Sequence, residues 1–310
     1  MSAVSQKWKG FFCGAMAAVA YGMNPLFSLP LYDEGLSPAA VLFYRYTLAV
    51  VLIAILMKLG GKSFRLPLNM LFPVMIGSAL MGISSLTLFQ SYLEMDAGIA
   101  STILFVYPVM VAVIMAIFWG ERITWSVVLG IIGSLAGVLI LYQGDGSNVN
   151  LKGLMLVLGS ALSFAVYIIA VRETSLSKVP AEVLTLYVML FCIPVFFWRT
   201  GWGKELYCIQ EWIGWGCIVA LAFIPTVVAF FLLALSSRLI GATKTAILGA
   251  LEPATAVFFG VLVFGEALTQ RLIIGLVVIV LSVILVVLGK EQTAKKGSGK
   301  SKKAGSAPAS

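Results

Sequence analysis

The sequence predicts an all-α multi-pass membrane protein whose ten transmembrane helices form two inverted five-helix repeats. Three observations carry that prediction. Of the 310 residues, 61% are hydrophobic and only 11% charged, with a mean hydropathy of +1.04; soluble domains are about half apolar and about a quarter charged. Apolar runs of about 20 residues recur between short polar breaks, each long enough as a helix to cross a hydrocarbon core of roughly 30 Å. The chain also repeats itself. DAGIASTILFVYPVMVAVIMAIFWGE, from Asp96 to Glu121, returns as GATKTAILGALEPATAVFFGVLVFGE, from Gly241 to Glu266, with Tyr107-Pro108 exchanged for Glu252-Pro253.

In chain order the spans are 10–31, 36–57, 69–92, 97–119, 123–143, 153–171, 181–199, 211–234, 241–264 and 268–289. Residues 1–8 are a cytoplasmic N-terminus. The first run resembles a secretory signal at Ala18-Val19-Ala20, but it continues apolar beyond Ala20, and its opening Lys9-Gly10 recurs as Lys152-Gly153 before the sixth span. At a shift of 145 residues, Ala97, Pro108, Gly120, Glu121, Thr124, Gly130 and Val138 match Ala242, Pro253, Gly265, Glu266, Thr269, Gly275 and Val283. The repeats are therefore 9–144 and 151–289. An odd number of spans per unit inverts the second relative to the first, an arrangement that places a site near the midplane and suits alternating access.

Charge sets the orientation. With both termini cytoplasmic, that side carries Lys7, Lys9, Lys58, Lys62, Arg65, Arg122, Arg172, Lys178, Arg238 and Lys244, against Lys152, Arg199, Lys204 and Arg271 on the other, as the positive-inside rule requires. The net charge of +8 does not point to nucleic acid. Six lysines from Lys290 to Lys303 lie in a Gly, Ser and Ala-rich tail, 290–310, read as a disordered cytoplasmic extension. Cys13, Cys192, Cys208 and Cys217 form no CxxC pair and histidine is absent. No metal site, cofactor or catalytic group is expected, and any proton step must use a carboxylate.

The two five-span units, with LEPATAVFFGVLVFGEALT at 251–269 and VYPVMVAVIMAIFWGERIT at 106–124, resemble the EamA family of the drug/metabolite transporter (DMT) superfamily. The resemblance covers roughly 9–289. It implies a secondary transporter of the cell inner membrane, often an exporter of amino acids or related metabolites. Separately, an enzyme is expected to show histidine, clustered acids or a metal set, and the sequence offers none.

Candidate substrate-binding residues follow from polar groups at membrane depth. Arg45 sits near the middle of the second span, where an Arg costs roughly 2.5–3.5 kcal/mol to insert and so faces protein or a water-filled cavity. It anchors a substrate carboxylate, or is structural, tied to backbone carbonyls or to a carboxylate on another helix such as Glu252. Glu252 is the one acid well inside a span, suited to a proton or a substrate amine, or alternatively to backbone donors at the Pro253 kink. Thr245, Gly249 and Thr255 share its helical face. Tyr107, its counterpart in the first repeat, is a candidate with Tyr167 and Asn24; Tyr21, Tyr44, Tyr46, Tyr92 and Tyr187 are further phenols whose facing is open.

Glu121 and Glu266 end matching helices, each after a Gly. The structural reading has each carboxylate receiving N–H groups from the start of the next helix; the sharper one is gating. Pro108 and Pro253 are kink residues, and with Pro25, Pro73, Pro194 and Pro225 they are expected to interrupt six spans. The fifth and tenth spans lack proline and are expected to be straight. Gly133-x-x-x-Gly137 suits either a contact between repeats or a homodimer. A small polar metabolite and the bilayer are the expected partners, with protons as coupling ion an open question. A phosphorylated solute is disfavoured by the single mid-membrane cation. A drug-like solute and a membrane protein that transports nothing are the remaining readings.

Overall fold

The computed structural model describes residues 3–121, 123–142, 150–207, 209 and 211–304, with side chains at 3–5, 242–243 and 290–304 left out of the description. Arg122, Cys208, the loop at Asp145 and most of the expected disordered tail therefore lie outside the described residues or their side chains. Among the described residues, ten helices are long and apolar enough to cross a membrane: Gln6–Asp33, Pro38–Leu59, Leu68–Ser91, Ala97–Trp119, Trp125–Tyr142, Leu151–Glu173, Ala181–Arg199, Trp212–Ile240, Lys244–Phe264 and Gln270–Gly289. They are called the first to tenth spans below.

Several helix ends carry recognisable caps. Ser37 caps the second span by accepting the Ala40 N–H at 3.3 Å, and Asn150 caps the sixth through Gly153 at 2.6 Å. Gly120 and Gly265 end the fourth and ninth at φ 65° and 67°, a conformation that any side chain would strain. The eighth span outruns its expected end at 234 by six residues, reaching Ile240. Its polar ending does not stop it because the Ser236 hydroxyl finds Thr245 at 2.9 Å.

The pattern of packing is that of a duplicated, inverted unit. The first span packs on the eighth and ninth, and the sixth correspondingly on the third and fourth; the second meets the seventh, the fourth meets the ninth, and the fifth meets the tenth. Ion pairs join loops expected on one face: Lys62 with Glu182 at 3.4 Å and Arg172 with Glu121 at 3.3 Å on the cation-rich side, Lys152 with Glu94 on the other.

The fifth and tenth spans are unbroken and touch through small residues. A methyl group added at Gly130 would lie 2.2 Å from Val286, at Gly133 2.2 Å from Ser282, at Gly137 2.5 Å from Ile279 and at Gly275 2.6 Å from Leu141. The GxxxG stripe thus serves the contact between repeats.

Four prolines break or distort their spans and two do not. The first span is two helices, Ala3–Gly22 and Asn24–Asp33; the fourth is Ala97–Leu104 and Tyr107–Trp119; the ninth is Ala242–Leu248 and Leu251–Phe264. In the eighth, Pro225 lies in a π-turn, Phe223–Val228. The expectation of six interruptions is corrected at Pro73 and Pro194. Pro73 stands in the first turn of Leu71–Ser91, where a backbone N–H has no partner to lose, and Pro194 sits inside an unbroken Ala181–Arg199, tolerated as prolines in membrane helices are.

Candidate functional site

Where a proline removes an N–H, the carbonyl four residues earlier loses its partner, and in this low-dielectric setting something polar must replace it. Pro25 frees the Tyr21 carbonyl, and the Asn24 amide nitrogen donates to it at 2.7 Å. Pro225 frees the Leu221 carbonyl, and the Thr226 hydroxyl donates to it at 3.0 Å. Each repair leaves an oxygen with spare lone pairs. Asn24 Oδ1 is buried without a hydrogen-bond partner among the described residues, while Thr226 Oγ1 accepts from Arg45 Nε at 3.1 Å.

These groups surround one cavity of about 350 Å³ between the repeats, lined from the first four spans and from the sixth to the ninth. All five residues singled out in the sequence reach it: Arg45, Glu252, Tyr107, Tyr167 and Asn24. So do Tyr21 and Tyr46, whereas Tyr44, Tyr92 and Tyr187 do not; Tyr44 and Tyr187 donate to the Tyr207 and Phe64 carbonyls, at 3.2 Å and 3.0 Å. Of the face around Glu252, Thr245 and Gly249 line the cavity. Thr255 instead donates to the Leu251 carbonyl at 2.7 Å and lies against Gly22.

Arg45 and Glu252 are the charged residues of the lining. Among the described residues no ion pair joins them. Arg45 is 8% exposed. Its guanidinium carbon lies 5.4 Å from the centre of the Phe89 ring and 5.9 Å from that of Tyr46, contacts that favour a cation. The Tyr46 hydroxyl is itself held by Ser85 at 2.7 Å. An aromatic shelf also lines the cavity: Tyr107 meets Phe164 edge-on at 4.8 Å, and Phe164 stacks on Tyr167 at 6.2 Å.

The sequence reading missed Thr226, Ser85 and Phe164. Thr226 was foreshadowed, since a hydroxyl beside a proline in an apolar run has a carbonyl to satisfy. For Phe164, one of 19 phenylalanines, no signal distinguished it.

The cavity reaches toward one face. Its lining extends to Thr185, Leu233 and Thr245, near the span ends that adjoin Lys178, Arg238 and Lys244. The other face is shut. The Tyr32 hydroxyl donates to the Phe89 carbonyl at 3.1 Å, and Leu31, Leu36, Tyr92 and Met95 are buried there.

Glu266 completes that closure in a way that corrects the sequence reading. Its carboxylate takes N–H groups not from the helix that follows but from the start of the fourth span, Ala97 at 2.7 Å and Gly98 at 3.0 Å. Inversion brings the end of one repeat's fourth helix to the beginning of the other's, and Gly98 and Gly260 leave room for the carboxylate. The following helix is capped by the Thr269 hydroxyl, which accepts the Leu272 N–H at 3.1 Å. Burial raises the Glu266 carboxyl above its usual range, against the pull of the two N–H groups; Asp96 nearby adds to the rise. Glu121, at the opposite face, accepts from Arg172 at 3.3 Å.

Comparison with known proteins places these features in company. The model of the EamA-like transporter family matches residues 8–143 and again 151–288. The chain is 29% identical over 285 residues to the protein named "Uncharacterized transporter YvbV" of Bacillus subtilis (strain 168), covering 88% of this chain and 89% of that one. It is 27% identical over 255 residues to an "Uncharacterized transporter" of Archaeoglobus fulgidus, covering 81% and 89%. A solved structure entitled "Crystal structure of protein" superposes with a TM-score of 0.62 at 19% identity, over 94% of this chain and 99% of that one, which shows the shared fold.

Proposed function

For a chain that belongs to the EamA-like transporter family, and is therefore a multi-pass membrane transporter, we propose that the solute is a small zwitterion of the amino-acid class. Arg45 takes its carboxylate and Glu252, with Asn24 Oδ1, its ammonium. The observation that carries this reading is that the two opposite charges line one cavity without pairing with each other. A buried charge without a counter-ion is costly, and a solute with both charges satisfies both poles at once. A phosphorylated solute would need more than the single cation of the lining to offset its charge. The aromatic shelf together with Glu252 favours a second reading, a drug-like organic cation, over the phosphorylated one.

The positive-inside distribution supports a cytoplasmic location for both termini, and the membrane of this reading is the cell inner membrane. On that assignment the cavity reaches the cytoplasmic side and Glu266 closes the outer one, the arrangement an exporter uses to load its solute. The carboxylate of Glu252 is the group available to couple a proton, in a chain without histidine. The GxxxG face of the fifth span is covered by the tenth, so a homodimer would use another surface.

Counterflow in proteoliposomes with a panel of labelled amino acids, organic cations and phosphorylated metabolites tests the reading. Wild type is compared with Arg45→Lys and Glu252→Gln, with and without a pH gradient. Exchange of amino acids that both substitutions depress supports it; loss of only the gradient-driven part in Glu252→Gln, with exchange intact, makes that carboxylate the proton site and not the ammonium site. Exchange of the cations alone, with Arg45→Lys unchanged, replaces the zwitterion by the second reading.

A further inference from the structure

The hydrogen bond from Arg45 to Thr226 joins the two repeats, and its origin is a backbone defect. Pro225 cannot donate to Leu221, the Thr226 hydroxyl donates instead, and that proton's direction turns the oxygen's lone pairs toward Arg45 Nε. Of the five N–H donors of a guanidinium, the one on Nε is thereby committed. The rings of Phe89 and Tyr46 lie 5.4 Å and 5.9 Å from the guanidinium carbon, and among the described residues no carboxylate forms an ion pair with the group. The two terminal nitrogens are left for the cavity that Arg45 lines. That is the geometry with which arginine grips a carboxylate by two parallel bonds.

We propose that Thr226 is a positioning residue, and that the π-turn at Phe223–Val228 exists in this span to present Arg45 as a two-pronged fork for a carboxylate. The inference rests on the reading of Arg45 as the carboxylate anchor and adds what aims it. π-turns inserted in helices recur at functional sites, and here the insertion has a stated task. With valine at 226, both Leu221 O and Arg45 Nε lose this hydroxyl, and the guanidinium turns to spend a terminal N–H on the carbonyl. The fork loses a prong.

The test compares full-length wild type, Thr226→Ser, Thr226→Val and Pro225→Ala in proteoliposomes. Pro225→Ala restores an N–H that competes for Leu221 and so loosens the hydroxyl without removing it. The first probe is phenylglyoxal, which adds across the two terminal nitrogens of a guanidinium, with Arg45 read by peptide mass spectrometry and the exposed Arg65 as reference. Labelling of Arg45 is expected to be equal in wild type and Thr226→Ser and several-fold slower in Thr226→Val, with Pro225→Ala between. Equal labelling in all four overturns the proposal, as does a serine variant as slow as the valine one.

The second probe is counterflow of a uniformly labelled L-amino-acid mixture. Thr226→Val is expected to raise the half-saturating concentration about tenfold, the size of one charge-assisted bond, with maximal rate unchanged. In an Arg45→Lys background, which has no Nε donor, the same substitution is expected to cost nothing further. An equal cost in that background overturns the proposal, since Thr226 then acts without Arg45. A wild type that carries no amino acid yet shows the expected labelling pattern refutes the choice of solute and leaves the fork standing.

Discussion

The carboxylate of Glu266 accepts the backbone N–H of Ala97 at 2.7 Å, tying the end of the ninth span to the start of the fourth across 169 residues of sequence. An N–H at the start of a helix has no partner within it, so the carboxylate acts as a foreign cap that holds two repeats together at the closed face.

Removing the cap should open that face. In a cysteine-free background carrying Ser101→Cys, one turn inside Ala97 and 7% exposed, an impermeant maleimide added from outside is expected to label several-fold faster after Glu266→Ala. Glu266→Gln, which keeps an acceptor oxygen, is expected to fall between. Unchanged labelling in Glu266→Ala would show that the buried apolar groups alone keep the face shut.

The contact between the fifth and tenth spans should be intolerant of bulk. Gly130→Leu is expected to cost about 1–3 kcal/mol as an overpacking change, read as a lower unfolding temperature in detergent. Gly159→Ala, where an added methyl meets nothing within 4 Å, should be neutral or mildly stabilising because alanine favours helix. Similar losses in both would mean that the close approach seen at Gly130 is not what limits stability.

Phe164 touches both Tyr107 and Tyr167. Phe164→Ala should therefore weaken solute binding while the protein stays folded, with the half-saturating concentration rising by roughly tenfold or less, the scale of one aromatic contact. Loss of folded protein on gel filtration would instead make Phe164 a structural residue of the sixth span.

The loop carboxylate Glu94 offers a pH test of small size. Hydrogen bonds from Lys152 and Asn150 hold it below the ordinary carboxylate value of 4.5. A depressed carboxyl contributes stability that is present above 4.5 and lost as the pH falls through its lowered value. Melting curves of wild type and Glu94→Gln should thus differ slightly at neutral pH and converge in acid. A gap that persists at the acid end would place the effect of the substitution outside the ion pair.

The spans were legible because hydropathy acts on every residue, and the inversion because an odd number of spans per repeat leaves no alternative. Arg45 and Glu252 were legible because charge at membrane depth must be accommodated. What stayed hidden depends on neighbours distant in sequence. Nothing in Gly265-Glu266 says that its carboxylate reaches Ala97 rather than its own next helix; only the pairing of the fourth with the ninth span decides that. Pro194 and Pro225 look alike in sequence, yet one lies in an unbroken helix and the other in a π-turn. Beside the second stands a threonine whose hydroxyl donates to the freed carbonyl and accepts from an arginine on another helix.

The fifth and tenth spans contribute nothing to the lining of the cavity. Locked through Gly130, Gly133, Gly137 and Gly275, they turn Leu129, Ile132, Leu135 and Leu281 outward. The molecule therefore has a keel separate from its hold. Changes on that outer surface can adapt the chain to a thicker, thinner or more ordered bilayer while the cargo it recognises stays the same, and a selection for lipid environment and one for solute can act on this sequence without meeting.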